Sequence, residues 1–174
     1  NIGENSIGPA GAKSVAAMVA AMASMTSLST AYNNISGDAA QQLASTVLAK
    51  PNLENFSGIP LKELRADSLT TLELSGKGLG IPEAIVLADL LGSVSASITH
   101  IGEGGLDLRY NKLGDEGWGA IFAGVCSSKV GKIASINASS EHIGPQGAKL
   151  IAEALRTSVN PSLTSVWSSS HQLW

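Results

Sequence analysis

The chain has 174 residues, of which 44% are apolar and 14% charged, with a formal net charge of −3 and one cysteine. That length and apolar content suffice to bury a sizeable core, while acids and bases mixed along both halves leave no basic footprint for nucleic acid or an anionic membrane. The lone Cys126 excludes an internal disulfide framework and favours a reducing, cytoplasmic (intracellular) setting. The acceptor patterns at Asn34, Asn55 and Asn137 read as chance matches in a serine-rich chain.

From the N-terminus, the first element is a phrase, Ile7-Gly-Pro-Ala-Gly-Ala12, that returns as Ile143-Gly-Pro-Gln-Gly-Ala148. Looser copies start at Ile35, Leu79 and Leu113, and Leu173 opens a sixth. Eight residues past each leading residue stand Val15, Leu43, Leu87, Ile121 and Ile151; twelve past stand Val19, Val47, Leu91, Val125 and Leu155. Both columns are apolar, so each copy is expected to carry an amphipathic helix beginning where its phrase ends. Pro9, Pro82 and Pro145 suit a first helical turn, and Asp38 and Asp115 are expected to cap free N–H groups. The apolar stretch Val15–Ala23 is too short to span a bilayer.

Upstream of the phrases lie short runs with apolar residues at alternate positions: Leu69-Thr-Thr-Leu72-Glu-Leu74, Leu106-Asp-Leu108, Ile133-Ala-Ser-Ile136-Asn-Ala138 and Leu163-Thr-Ser-Val166. Alternation predicts half-buried strands, giving a unit of strand, turn and helix. Leading positions at 7, 35, 79, 113, 143 and 173 are spaced by 28, 44, 34, 30 and 30 residues. The long interval contains Leu53-Glu-Asn-Phe56 and Ile59-Pro-Leu-Lys-Glu-Leu64, so residues 53–67 are expected to form an irregular, shortened repeat.

These runs, above all Leu69–Leu79 and Leu106-Asp-Leu-Arg-Tyr-Asn-Lys-Leu113-Gly-Asp-Glu-Gly117, resemble the leucine-rich repeat of the ribonuclease-inhibitor type. The resemblance implies an α/β fold, a leucine-rich repeat solenoid or horseshoe with parallel strands on the concave face and helices on the convex face. It also implies that Asn111, and Asn33 in the same place, satisfy backbone groups in the turn after the strand. Lys77, Glu141 and His171 interrupt that asparagine ladder. Residues 1–174 are expected to be a single array and a fragment of a longer one, since both ends fall in mid-repeat; stacking of raw ends leaves end-to-end self-association open.

On such an array the strand side chains that miss the core face a partner. The candidate partner-binding residues are Glu73, Asp107, Arg109, Tyr110, Asn137 and Trp167, whose aromatic and arginine content suits interface anchors. The plain alternative is that Arg109 pairs with Asp107 or Glu73 on a solvated surface. Truncating the inward Leu108 is expected to cost about 2–5 kcal/mol, and more than truncating the outward Asp107.

Catalytic chemistry finds no support. Ser75-Gly-Lys-Gly-Leu-Gly80 lacks phosphate-loop order and reads as a repeat turn, and Ile101-Gly-Glu-Gly-Gly105 reads as a loop inserted before a strand. The histidines His100, His142 and His171 are scattered without metal-ligand spacing, so no metal or cofactor is expected, and Cys126 reads as an inert thiol. The sequence therefore predicts a non-catalytic module binding a protein partner through the concave surface, with no nucleic-acid or membrane partner. Because the repeat type also resembles ribonuclease inhibitors and Ran GTPase-activating proteins, regulation of an enzyme stands as an alternative, as does a structural spacer.

Overall fold

The computed structural model describes residues 1–93 and 97–167. The repeat opening at Leu173 and the turn residue His171 lie outside the described residues. In chain order the elements are α1 (Gly8–Ala21), β1 (Ser27–Leu28), α2 (Gly37–Leu48), β2 (Asn55–Phe56), β3 (Ile59–Pro60), α3 (Leu61–Arg65), β4 (Leu72–Glu73), α4 (Ile81–Ser93), β5 (His100–Ile101), β6 (Leu106–Asp107), α5 (Gly114–Ser127), β7 (Ser135–Asn137), α6 (Pro145–Arg156) and β8 (Ser165–Trp167). The fold is mixed α/β, with a parallel sheet on one side of the core and helices on the other.

The helices stack in sequence, α1 on α2, α2 on α4, α4 on α5 and α5 on α6. Their apolar columns meet as the periodicity requires: Leu43, Val47, Leu87, Leu91, Ile121 and Val125 are all buried. Each such side chain contributes about 1.5–3 kcal/mol of burial. The stripe weakens on the outermost helix, where Leu155 is 38% exposed, because α6 has one helical neighbour among the described residues. Close helix approach is set by glycine: a Cβ on Gly124 would lie 2.2 Å from the Ala88 carbonyl oxygen across the α4–α5 contact.

The helices start inside the repeated phrase, one or two residues after its leading apolar residue, earlier than the sequence predicts. Pro9 and Pro145 stand in first turns as expected. The capping expectation for the aspartates is corrected. Neither α2 nor α5 has a side-chain cap bond, because Asp38 and Asp115 lie within the first turn, beyond the N-cap. Asp115 instead accepts from the Gly144 N–H of the following repeat at 2.7 Å.

The turn between strand and helix repeats its backbone geometry closely. Glu4, Tyr32, Gly76, Tyr110 and Ser140, each three residues before a leading apolar residue, all have left-handed φ between 60° and 64°. Asn33 and Asn111 then play corresponding parts. The Asn111 Nδ2 donates to the carbonyls of Leu74 and Leu108, both at 2.8 Å, and its Oδ1 accepts from Leu79 N–H at 3.0 Å. Asn33 donates to Ile2 and Thr30 and accepts from Asn5 and Ile7. Each side chain thus fastens its turn to the preceding repeat. Ser75–Gly80 is another such turn, with Gly76 and Gly78 at positive φ.

The five-stranded sheet has the order β4-β6-β5-β7-β8 and is parallel throughout. Its register contains a doubled rung. Leu72 pairs with Leu106, Leu106 with Ile101, Ile101 with Ile136, and Ile136 with Val166. Two residues of one repeat, Ile101 and Leu106, therefore occupy one level of the sheet. The residues between them leave the ladder as the loop that the sequence reads as inserted, although its upstream flank, His100–Ile101, is itself strand.

Between β1 and β4 the layering changes. The strand β2 pairs in parallel with β1, then turns back antiparallel onto β3 and into the five-residue α3. Here Thr30 stands where Leu108 stands in its own repeat, and it is buried together with Ser57 and Glu83. Both hydroxyls donate to Glu83 Oε1 at 2.7 Å, and Gly80 N–H donates to Oε2 at 3.0 Å. That satisfies a buried carboxylate that would otherwise be costly at the irregular junction.

Candidate protein-binding surface

The outward residues of the sheet are placed by strand alternation. Leu72, Leu74, Leu106, Leu108, Ile136 and Ala138 turn to the helices, and Glu73, Asp107, Asn137 and Trp167 turn away. Register puts Glu73 beside Asp107 and Asn137 beside Trp167. Gly102 fills the gap between these pairs, where an added Cβ would stand 3.3 Å from the Asn137 Cβ. Arg109, Tyr110 and Asn137 line one groove of about 500 Å³. Glu73 and Trp167 thus stand on opposite edge strands of the sheet, with Asp107 and Asn137 between them and Arg109 and Tyr110 in the turn after β6.

Three of them share a local backbone duty that periodicity does not reveal. Glu73, Asp107 and Asn137 each accept, through a side-chain oxygen, the N–H two residues on, from Ser75, Arg109 and Ser139 at 2.9–3.0 Å. This secures the chain as it leaves the ladder, and explains why acids and an amide fill the column.

Asp107 is outward yet buried, at 2% exposure. Arg109 covers it, donating from Nε to both carboxylate oxygens at 3.0 Å and from Nη2 to Oδ2 at 2.7 Å. These bonds hold the Asp107 carboxyl below the usual carboxylate range, against burial, which pulls the other way; the guanidinium is pushed up in turn. The second ion pair of Arg109 is with Glu103 at 3.2 Å, not with Glu73. Glu103 was not nominated by its own repeat position. The signal for it is the 34-residue spacing, which says that extra residues lie in that copy.

The exposed part of the surface is aromatic. Tyr110 is 79% exposed and Trp167 62%. Tyr110 holds a left-handed φ of 60°, and the Arg109 guanidinium carbon lies 6.0 Å from its ring centroid. A bulky side chain there costs more than the glycine or serine of other copies. Behind the groove, Glu141 is half-buried at the position of Asn111 in its own repeat. Burial raises its carboxyl pKa, opposed by the Trp118 indole, a Tyr110 backbone bond and His142. The Trp118 Nε1–H meets no acceptor at full hydrogen-bond geometry, so that contact is loose.

Among the described residues no three His, Cys, Asp or Glu side chains converge as a metal site, and no helix is long and apolar enough to cross a membrane. The Cys126 thiol is buried, and desolvation raises its pKa, which leaves it less thiolate than a free cysteine.

Residues 106–122 match the model of the family described as Leucine Rich repeat. That segment runs from β6 through the Asn111 turn into α5. No curated protein matches the sequence. Among solved structures, the chain is similar to a tropomodulin C-terminal domain from Caenorhabditis elegans, at 16% identity and a TM-score of 0.43, over 93% of this chain and 84% of that one. It is similar to the same degree, 16% identity and a TM-score of 0.43, to Leiomodin-1 Actin-Binding Site 2, over 90% of this chain and 78% of that one.

Proposed function

We propose that this chain is a non-catalytic protein-binding module, working in an intracellular setting, whose outward sheet surface holds a protein partner. The observation that carries the reading is the pair of large aromatic side chains, Tyr110 and Trp167, left 79% and 62% exposed on one surface. Exposed aromatics, one of them beside a fixed arginine, are the usual energetic anchors of interfaces. Asn137 pairs beside Trp167, Glu73 stands on the opposite edge strand, and Asp107 acts from beneath by fixing Arg109.

The same reading takes residues 1–174 as one curved array of the ribonuclease-inhibitor type, with 53–67 as its shortened repeat. Supporting it are the recurrent left-handed turn, the paired asparagines and the stacking of α2 directly on α4 past the five-residue α3.

The test is affinity capture from a eukaryotic lysate, comparing the parent with a Tyr110→Ala/Trp167→Ala variant of equal thermal stability. A protein retained by the parent and lost by the variant supports the reading. Unchanged retention would place binding elsewhere on the chain.

A further inference from the structure

The first and last helices are built on the same phrase. Gly11-Ala-Lys13 and Ala16 of α1 return as Gly147-Ala-Lys149 and Ala152 of α6, and the apolar Val15 and Val19 return as Ile151 and Leu155. Each packs on one helical neighbour among the described residues, but from opposite sides, since α2 follows α1 and α5 precedes α6. The side of α6 that meets α5 carries Leu150, which lies against Gly119. The same face is therefore covered in one helix and open in the other. With α2 in place, Ala12, Ala16 and Val19 are 0–1% exposed. Their counterparts Ala148 and Ala152 are exposed, and Leu155 is 38% exposed.

The open face lines a groove of about 400 Å³ together with Ile143, Ile151 and Val166. Val166 is the inward residue of β8, which extends the sheet one strand past β7. The unit that opens with β8 thus has its strand in place, while the described residues hold no helix beyond α6. What such a face accepts is shown by α2. That helix buries Leu43 and Val47, one turn apart, and Ala39 and Ala40 in its first turn, and leaves Gln41, Gln42 and Ser45 exposed. Past its end, Lys50 donates from Nζ to the carbonyls of Ala20 and Met22 at 3.0 and 3.1 Å, where a cation suits the negative end of α1.

We propose that the groove between α6 and β8 is a second docking site, and that its occupant is an amphipathic helix of a protein partner built like α2. Such a helix has two aliphatic residues one turn apart, alanines in its first turn and a basic residue past its end, and enters the groove by its apolar stripe. The site is separate from the outward surface of the sheet, because Val166 turns to the helices and Trp167 away from them.

The probe is a fluorescein-labelled peptide of residues 36–50, the sequence of α2 with its lysine, read by fluorescence anisotropy and circular dichroism on the whole chain. A peptide of this length is barely helical alone, so binding should raise both the anisotropy and the helical signal. Binding should weaken at least fivefold when the peptide carries Leu43→Asp/Val47→Asp, and when the chain carries Ala148→Glu/Ala152→Glu at two exposed positions. It should hold within twofold in Ser14→Glu/Met18→Glu, which alters exposed residues of α1 at the other end of the stack. Should Ala148→Glu/Ala152→Glu lose its cooperative melt, Ala152→Lys takes its place. No binding of the α2 peptide, equal binding of its aspartate form, or equal weakening by the α1 and α6 pairs would overturn the proposal. Binding that the α6 pair leaves unchanged would mean that the peptide exchanges with α2 on α1, and would overturn it as well. A dimer in sedimentation that the α6 pair breaks would make a second copy the occupant, overturning the choice of a partner's helix.

Discussion

Arg109 lies across Asp107, its Nη2 2.7 Å from Oδ2, so that an outward residue of the sheet is almost as buried as the inward Leu108 beside it. Two neighbours in the chain are thus buried by different means, one by the core and one by a single covering side chain. Leu108→Ala should cost about 2–5 kcal/mol through lost packing and the cavity left behind. Asp107→Asn should cost about 1–3 kcal/mol through lost charge-assisted bonds, towards the lower end because Arg109 is partly solvated.

The two losses differ in their pH dependence. The Asp107 carboxyl is held down by Arg109 in the folded chain. Its stabilisation is therefore complete above the ordinary carboxylate range of about pH 4 and is lost as pH falls through the folded value. Urea melts at pH 7 and pH 3 should show the parent's advantage over Asp107→Asn shrinking in acid, and its advantage over Leu108→Ala persisting. An advantage over Asp107→Asn that does not vary with pH would mean the ion pair contributes nothing to folding.

Asn111 closes three backbone groups, the Leu79 N–H and the Leu74 and Leu108 carbonyls, which lie in two successive repeats. Asn111→Ala leaves all three without that partner, at a cost of about 2–4 kcal/mol on the scale of 1–3 kcal/mol for each buried group left unmade. Hydrogen exchange should show the local effect first, with the Leu79 amide losing protection before the α5 interior. Exchange at Leu79 equal to the parent's would show that the side chain does not hold the two turns together.

Helices and strands were legible because their periods are physical. A residue eight or twelve places past each leading apolar residue must face the neighbouring helix, and Leu43, Leu87 and Ile121 do. The six surface residues were placed by the same alternation. What the pattern did not convey was occupancy. That Arg109 roofs Asp107 depends on side-chain reach across two residues, and that Glu103 joins them depends on a loop whose extra length shows in the spacing but whose direction does not. The Thr30–Ser57–Glu83 cluster was equally hidden, since it joins residues far apart in sequence beside the irregular repeat of 53–67.

Helix spacing is also set by glycine in a way that composition cannot show. At Gly124 an added methyl would lie 2.2 Å from a backbone oxygen of α4, and at Gly92 it would lie 2.9 Å from the Gly124 carbonyl oxygen. Backbone cannot step aside as a flexible side chain can. Gly124→Ala should therefore destabilise by about 1–3 kcal/mol, and by more than Gly92→Ala, in paired thermal melts. Equal melting of Gly124→Ala and parent would mean that α4 and α5 are farther apart in solution.

Glu141 stands where its own repeat places an asparagine, and it cannot donate when ionised. In the neighbouring repeat Asn111 bonds its own strand carbonyl, that of the preceding strand, and an N–H; Glu141→Asn should rebuild that set with Ala138, Leu108 and Leu113. The gain at pH 7 should be about 0.5–1.5 kcal/mol. Burial raises the Glu141 carboxyl pKa in the folded chain. Its contribution is therefore fully present below the ordinary range of about pH 4 and is lost as pH rises through the folded value. The variant has no such group, so its advantage over the parent should be greatest at neutral pH and narrow in acid. If the parent is the more stable at pH 7, the bonds that Glu141 receives from Trp118 and Tyr110 outweigh its burial, and the carboxylate is a fixture of this turn.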